Sequence, residues 1–320
     1  MKPFWKTSRK KKTKKPSTPL QQKPRMRTKP KPMEEPWKPP MAVPPKAVEQ
    51  ERAPIAQLLE SARPIRKEYI PARPSTRKSE YYHEFRSNFQ QLLSPKCRPI
   101  DIWRDFIVMA ACAMSNTVDK ARYDEREKRY LEIINKYEES QQHIFPKLYA
   151  AVVLALDENP EQDFLGEMFM DLHLDYEELK QIFTPYHVCQ LMADITMDDL
   201  VEQIDKQGYV SINDCCCGAG ANLIAAINSA RHKLEDAGLN FQNHILVIGQ
   251  DIEELVALMC YIQISLLGVA GYVKVGNALT EPMTYGDSME NYWFTPMYFS
   301  DVWHTRRMIH RFTELFKEDK

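Results

Sequence analysis

Glycine is scarce in this sequence, and its distribution is uneven. None of the 10 glycines lies before Gly166, although the chain has 320 residues. Glycine provides the positive φ angles of tight turns and lets backbone approach a ligand closely. Its absence from the first half is typical of helices joined by polar connections, and nothing in that half specifies chemistry. Glycine-dependent binding chemistry is therefore expected only in the second half.

The sequence also lacks an uncharged apolar run, an apolar segment behind its charged N-terminus and a regular cysteine framework. The longest apolar stretch, residues 252–269, is interrupted by Glu253, Glu254 and Gln263, which predicts a buried helix rather than a membrane span. The cysteines number seven, and three of them are adjacent at residues 215–217, which does not fit a disulfide framework. We therefore predict a cytoplasmic protein in a reducing compartment, not associated with a membrane.

Charge is divided sharply along the chain. Residues 1–50 contain fifteen Lys or Arg against three Glu, and eleven of the 22 prolines, whereas the remaining residues have a net charge of −13. A segment of this composition buries too little apolar surface to offset its ordering entropy, so we predict that residues 1–75 form a disordered basic arm and linker. The run at residues 9–15 could contact the phosphates of DNA, or it could be a solubilising tail.

The rest of the chain divides into two predicted domains. Residues 76–172 have apolar residues at helical spacing, notably over residues 100–114, 120–137 and 145–156, and are predicted to form a helical domain. Residues 173–320 alternate strand and helix patterns, with strands at 209–214, 244–251 and 271–275 and helices at 221–234 and 252–267. This alternation predicts an α/β domain with a parallel, doubly wound sheet.

The candidate binding segment is Asp-Cys-Cys-Cys-Gly-Ala-Gly at residues 214–220, between a predicted strand and a predicted helix. Gly218 and Gly220 would let the backbone turn tightly beside a ligand, although an ordinary turn is the alternative. Three consecutive cysteines diverge too much to converge on one metal ion, so we predict packing beneath the turn and no metal. A nicotinamide-binding loop is a weaker alternative, because Leu223 occupies the third glycine position of that motif.

Three further segments accompany this turn. Asp251 ends the next predicted strand, where a carboxylate accepts hydrogen bonds from ribose hydroxyls, although it could instead cap the helix that follows. Asn277 follows the third strand and presents both a donor and an acceptor, or forms a plain turn. Upstream, Thr184 and Pro185 have the pattern of a helix N-cap and first helical residue.

Taken in order, these segments resemble the motifs of adenine-N6 DNA methyltransferases. The resemblance covers roughly residues 160–282 and includes QIFTPYHVCQLM at 181–192, DCCCGAG at 214–220, VIGQDI at 247–252 and GNAL at 276–279. DFLGE at 163–167, together with a leading helical domain, resembles the modification subunits of type I restriction systems. The resemblance implies a Rossmann-like S-adenosylmethionine-dependent methyltransferase fold that acts on DNA.

The resemblance also implies roles for individual residues. Phe183, Thr184 and Pro185 would line the methionine end of the cofactor. Asp214, Gly218 and Gly220 would form its cradle, Asp251 would hold the ribose, and Asn277 would lie beside the adenine.

The catalytic motif of the family is the main departure. The family requires Asn, Asp or Ser followed by Pro-Pro and an aromatic residue, and the sequence has no such motif. The nearest match is residues 295–298, in which Thr295, Pro296 and Tyr298 are the candidate catalytic residues. The alternative is an aromatic plug on the sheet. Only 22 residues follow Tyr298, so we expect an incomplete fold, completed by a protein partner or reduced to a cofactor- or DNA-binding regulator.

Overall fold

A computed structural model describes residues 78–318, except residues 96, 175–182 and 285, and excludes the side chains of residues 311–318. The predicted basic arm and most of its linker lie outside the described residues. The described chain is a mixed α/β structure with one four-stranded sheet, which confirms the predicted α/β class.

Among the described residues, eight α-helices precede the first strand. The first six are α1 (Glu80–Leu92), α2 (Pro99–Asn116), α3 (Tyr123–Ile134), α4 (Glu139–Gln142), α5 (Ile144–Glu158) and α6 (Phe164–Asp171). Aromatic side chains dominate their packing, with Phe85 in edge contact with Trp103, Phe106 and Phe164. All four are almost fully buried. The helical patterns predicted in this region therefore correspond to helices with buried apolar faces.

The strands and the remaining helices follow in alternation. They are α7 (Tyr186–Thr196), α8 (Leu200–Gln207), β1 (Val210–Asp214), α9 (Ala221–Asp236), α10 (Phe241–His244), β2 (Ile245–Asp251), α11 (Glu254–Leu266), β3 (Ala270–Val275), β4 (Tyr292–Phe294) and α12 (Asp301–Glu318). Short 3₁₀ helices cover Lys120–Arg122, Met289–Asn291 and Pro296–Phe299. The three predicted strands and two predicted helices of this half begin and end within about two residues of the observed ones.

The sheet order is β1-β2-β3-β4, with β1, β2 and β3 parallel and β4 antiparallel to β3. The parallel part of the predicted sheet is confirmed. The fourth strand has only three residues and runs in the reverse direction, so it does not continue the parallel array. β1 is an edge strand among the described residues, and Ser211 and Asn213 on it are exposed.

One apolar core joins the helices before the sheet to the sheet itself. β2 is buried along its whole length, and α11 is buried on nearly every side, because it lies between β2 and β3 on one side and α2 and α6 on the other. Arg126 of α3 holds β4, the last strand of the sheet. It pairs with Asp119 at 2.7 Å, donates to the Tyr292 carbonyl at 2.8 Å and lies over the Trp293 ring. The helical layer and the sheet are therefore packed as one body around α11.

Candidate functional site

The carboxyl ends of three parallel strands meet at one edge of the sheet. β1 ends at Asp214, β2 at Asp251 and β3 at Val275, and the strand register aligns Asp251 with Val275. Loops at this edge of an open α/β sheet are the usual place for a ligand. The predicted cofactor-binding residues of the glycine turn (residues 214–220), Asp251 and Asn277 all lie at this edge.

The glycine turn folds back onto the end of β2. Cys216 N–H donates to Asp214 Oδ1 at 3.0 Å, and Cys217 N–H donates to the Gln250 carbonyl at 3.0 Å. Gly218 N–H donates to Asp251 Oδ2 at 2.9 Å. The turn and Asp251 are therefore one hydrogen-bonded unit, which the spacing of two separate motifs could not show.

Both glycines of the turn have conformations that favour glycine. The φ of Gly218 is +52° and that of Gly220 is +101°, in the left-handed region that side chains rarely adopt. A Cβ on Gly220 would also lie 2.9 Å from Cys260 Sγ, because α9 begins in close contact with α11. The turn needs glycine at both positions for its own geometry.

The three consecutive cysteines have different environments. Cys217 is buried beneath the turn beside Cys260, and the hydrogen bond with Cys260, together with burial, raises the pKa of the Cys217 thiol. Cys215 and Cys216 are exposed. The prediction that the cysteines pack under the turn therefore holds for Cys217 and is wrong for the other two, because the Asp214–Cys216 hydrogen bond turns their segment outward.

Asp251 is a buried carboxylate with both oxygens engaged. Besides Gly218, it accepts a hydrogen bond from Glu253 N–H through Oδ1 at 3.0 Å. Each carboxylate oxygen can accept a second bond, so capacity for a hydroxyl donor is left. The alternative helix-cap role is not observed, because α11 begins at Glu254 and its N-cap is Glu253.

Apolar side chains are exposed beside these polar groups. Ile252 is 65% exposed and Leu279 is 92% exposed. Phe183 is half-buried: its ring packs edge-on against Phe169, and its Cε1 lies 3.6 Å from the position that a Cβ on Gly218 would take. The structure thus brings Phe183 to the glycine turn and leaves apolar surface at the same edge.

Thr184 and Pro185 link Phe183 to α7 and are exposed. The helix begins at Tyr186, so Pro185 is its N-cap residue, and Thr184 makes no cap. The predicted cap pattern is wrong by one residue, because Pro185 has an extended ψ of 133° and continues the chain outward before the helix starts.

Asn277 shapes the loop after β3. Its Oδ1 accepts hydrogen bonds from Leu279 N–H at 2.9 Å and Thr280 N–H at 3.3 Å.

A buried ion pair supports the same loop. Lys274 is buried, pairs with Asp287 at 2.6 Å and donates to the Glu281 carbonyl at 2.9 Å. The Lys274 ammonium, with hydrogen bonds from Thr284 and Tyr292, holds the pKa of Asp287 well below its usual range even though burial acts in the opposite direction. The contacts of Asn277 and Lys274 fold the loop that follows β3 over the carboxyl end of the sheet.

The segment predicted to be catalytic lies at the opposite edge. Because β4 is antiparallel to β3, the end of β4 lies beside the start of β3, and Thr295 comes directly after that end. Thr295 Oγ1 donates to the Val269 carbonyl at 2.8 Å and accepts from Gly271 N–H at 2.9 Å. Tyr298 is 2% exposed and stacks on Phe294, with ring centroids 4.8 Å apart. The length of β3 separates this segment from the glycine turn by roughly 17 Å at about 3.3 Å per residue.

The catalytic interpretation of Thr295, Pro296 and Tyr298 is therefore corrected. Thr295 is fully buried, and its hydroxyl is engaged with backbone on both sides, so it cannot accept a bond from a substrate amine where it stands. Pro296 opens a 3₁₀ turn that directs Tyr298 into the aromatic cluster. The structure matches the alternative, an aromatic plug.

A buried amide supports the glycine turn from behind, and the sequence analysis did not assign it a role. Gln263 of α11 donates to the Ala219 carbonyl at 2.9 Å and to Asp163 Oδ1 at 2.8 Å, and its Oε1 accepts from Leu165 N–H at 3.0 Å. Burial raises the pKa of Asp163, which also caps α6 through Gly166 N–H. An amide side chain inside a mostly apolar, buried helix was the available signal.

A cavity of about 150 Å³ lies between α3 and Trp293 and reaches Val275 at the end of β3. Arg129 and Glu254 in its lining already pair with each other at 2.7 Å. Over the described ranges, no three His, Cys, Asp or Glu side chains are grouped so as to hold a metal ion. Within the same ranges, no helix is both long and apolar enough to cross a membrane.

Comparison with known proteins agrees with the motif order. The family model described as N-6 DNA Methylase matches residues 161–319, from the turn before α6 to the end of α12. No curated protein and no solved structure matches the chain. The matched segment contains the glycine turn, Asp251, Asn277 and Phe183. Through residues 161–319, the chain belongs to the N-6 DNA methylase family.

Proposed function

We propose that the carboxyl edge of the sheet binds S-adenosylmethionine, and that the chain is a DNA adenine-N6 methyltransferase-type protein. The observation that carries the proposal is the hydrogen bond between Gly218 N–H and Asp251, which joins the glycine turn and the acidic strand end in one unit beside Phe183. The further resemblance to type I modification subunits stays a prediction.

The residues at this edge fit the proposed cofactor. Asp251 retains acceptor capacity for ribose hydroxyls, and its two backbone donors hold it in place. Ile252 and Leu279 expose apolar surface that an adenine ring would cover. Phe183, Thr184 and Pro185 would border the methionine end, and Asp214 and Gly220 would complete the cradle. When bound, the cofactor supplies an electrophilic methyl group.

Methyl transfer to adenine requires a second set of groups. An adenine in duplex DNA must leave the base stack, be held by hydrogen bonds and stack on an aromatic or apolar side chain. Thr295 and Tyr298 are buried at the other edge of the sheet. We therefore propose that the described residues bind the cofactor, and that the base pocket comes from a protein partner or is missing. In the latter case the chain is a catalytically inactive DNA- or cofactor-binding regulator.

DNA remains the proposed nucleic-acid partner. The body of the chain is acidic, so the proposed DNA contact is assigned to the basic residues 1–50, whose net charge is +12. Lys and Arg that neutralise phosphates release counterions, which gives salt-dependent affinity without sequence preference.

Titration calorimetry with S-adenosylmethionine tests the binding site. We expect measurable binding by the wild type and a loss of about 100-fold or more in Gly218→Val, equivalent to about 3 kcal/mol, because a β-branched residue is strained at a φ of +52°. Gly238→Val is the matched control, since Gly238 has a φ of +72° in a turn remote from the site.

Equal affinity in wild type and Gly218→Val would refute the cofactor site. A radiolabelled methyl-transfer assay on mixed-sequence DNA tests the second part separately. We expect the isolated chain to bind cofactor and transfer no methyl group. Robust transfer by the isolated chain would contradict the proposal that its base pocket is absent.

A further inference from the structure

Helix α7 carries an exposed apolar stripe that the proposed function does not use. Its members are Val188, Leu191, Met192 and Ile195, which are 38%, 60%, 44% and 65% exposed. The spacing i, i+3, i+4, i+7 puts all four on one side of the helix. Contiguous apolar patches of this kind mark interaction surfaces, whereas scattered exposed apolar residues do not.

The opposite side of α7 already has its intramolecular partners. Cys189 and Ala193 pack against Ala225 and its neighbours on α9, together with Ile212 of β1. The four stripe residues are therefore not needed to pack α7 against the rest of the described residues. It also lies on a helix beside β1, the strand whose outer edge is unpaired in the described ranges, so two incomplete surfaces are neighbours.

We propose that the α7 stripe is the interface between two copies of this chain, with the two α7 helices antiparallel across a two-fold axis. The stripe is symmetric about its midpoint. Antiparallel pairing places Val188 of one copy against Ile195 of the other, and Leu191 against Met192, so the same surface complements itself. All four side chains of each copy would be buried at an ordinary interhelical distance of about 8–10 Å.

The charges on α7 favour this pairing. The first turn of the helix contains no acidic residue and its N-cap has no side-chain hydrogen bond, while the last turn has no basic residue. Asp198 and Asp199 follow the helix end. In the antiparallel pair they would lie beside Pro185 and Thr184 of the other copy, where the partial positive charge of the helix N-terminus favours carboxylates. A parallel pair would instead bring the acidic ends together.

Sedimentation velocity over a range of about 1–200 µM tests the interface on the full chain without cofactor. We expect a concentration-dependent dimer with a Kd on the order of micromolar, typical of a small interface. Because Leu191 occurs twice in the dimer, we expect Leu191→Glu to weaken it by about 100-fold or more, with an unchanged melting temperature. Leu154→Glu is the matched control, since Leu154 is a 43% exposed leucine on α5, and it should leave the dimer intact.

Disulfide cross-linking tests the antiparallel register of the two α7 helices separately. Mixing Val188→Cys and Ile195→Cys copies under mild oxidation should give a cross-linked dimer above the wild-type background, and mixing Val188→Cys with wild type should not. A wild-type chain that stays monomeric at 200 µM, or a dimer that Leu191→Glu leaves unchanged, would overturn the proposal. Neither result depends on S-adenosylmethionine, so this test and the cofactor test can fail independently.

Discussion

The two edges of the central sheet differ in how completely the chain covers them. At the carboxyl edge, Ile252 and Leu279 are exposed beside a backbone turn and a carboxylate with acceptor capacity to spare. At the amino edge, Thr295 is fully buried and Tyr298 is nearly so. A site that binds a ligand must leave surface and hydrogen-bonding capacity unused by the fold, and in the described residues the carboxyl edge does so.

Strand direction produces this difference. Residues 295–298 follow a strand, but β4 runs antiparallel to β3 and delivers them to the amino edge. Reversal of one three-residue strand converts a site-like sequence into a structural plug. A motif therefore has functional meaning only together with the edge of the sheet at which its strand ends.

Of the substitutions considered, one in the aromatic plug at residues 295–298 should have the largest effect, and that effect is on stability. Tyr298→Ala removes a ring packed against Phe294 and Tyr272, and we expect it to lower the free energy of unfolding by about 3–5 kcal/mol. Phe299→Ala, at a 39% exposed neighbour, should cost less than about 1 kcal/mol. Urea unfolding measures both. If Tyr298→Ala leaves stability intact, residues 295–298 are not a structural plug at the amino edge.

Asp251 should have the next largest effect, on binding. We expect Asp251→Ala to weaken S-adenosylmethionine binding by about 1.5–3 kcal/mol, the scale of a hydrogen bond to a charged group. Asp205→Ala changes an exposed carboxylate on α8 and serves as the charge control. Calorimetry should separate the two variants, and circular dichroism should establish that both are folded. Unchanged affinity in a folded Asp251→Ala would leave this residue only its role of holding the turn.

Substitution of Ile252 should have the smallest effect, and it separates a role in folding from a role in binding at the carboxyl edge. As a 65% exposed side chain it contributes little to folding, so Ile252→Ser should change the melting temperature no more than Leu131→Ser, at a 46% exposed position on α3. If a ligand covers it, the same substitution should weaken cofactor binding by about 0.5–1.5 kcal/mol through lost apolar burial. Parallel thermal and calorimetric titrations provide the test. An effect on stability without one on binding would assign Ile252 to the fold instead.

Much of the second half was predictable from local patterns, because each strand–turn–helix unit is specified by neighbouring residues. The strand ending at Asp214 and the helix starting at Ala221 were found in this way. The hydrogen bond between Gly218 and Asp251 was not, since it joins residues 33 apart, although the shared carboxyl edge of parallel strands implied their proximity.

The errors have a common physical origin in long-range packing. Beside β4, Arg126 from far earlier in the chain holds the Tyr292 carbonyl, and Thr295 bonds the backbone of residues 269 and 271. No periodicity or motif spacing contains these contacts.

The anchoring role of Arg126 has a consequence for how the protein can be divided. Arg126 lies before residue 161, whereas the carbonyl and the ring that it contacts belong to Tyr292 and Trp293 within the family-matched segment. Excising that segment would remove the guanidinium and expose the apolar surface of α11 that α2 covers. The evolutionary unit that the family describes is therefore smaller than the thermodynamic unit that unfolds, and the helices ahead of it are part of the same cooperative structure.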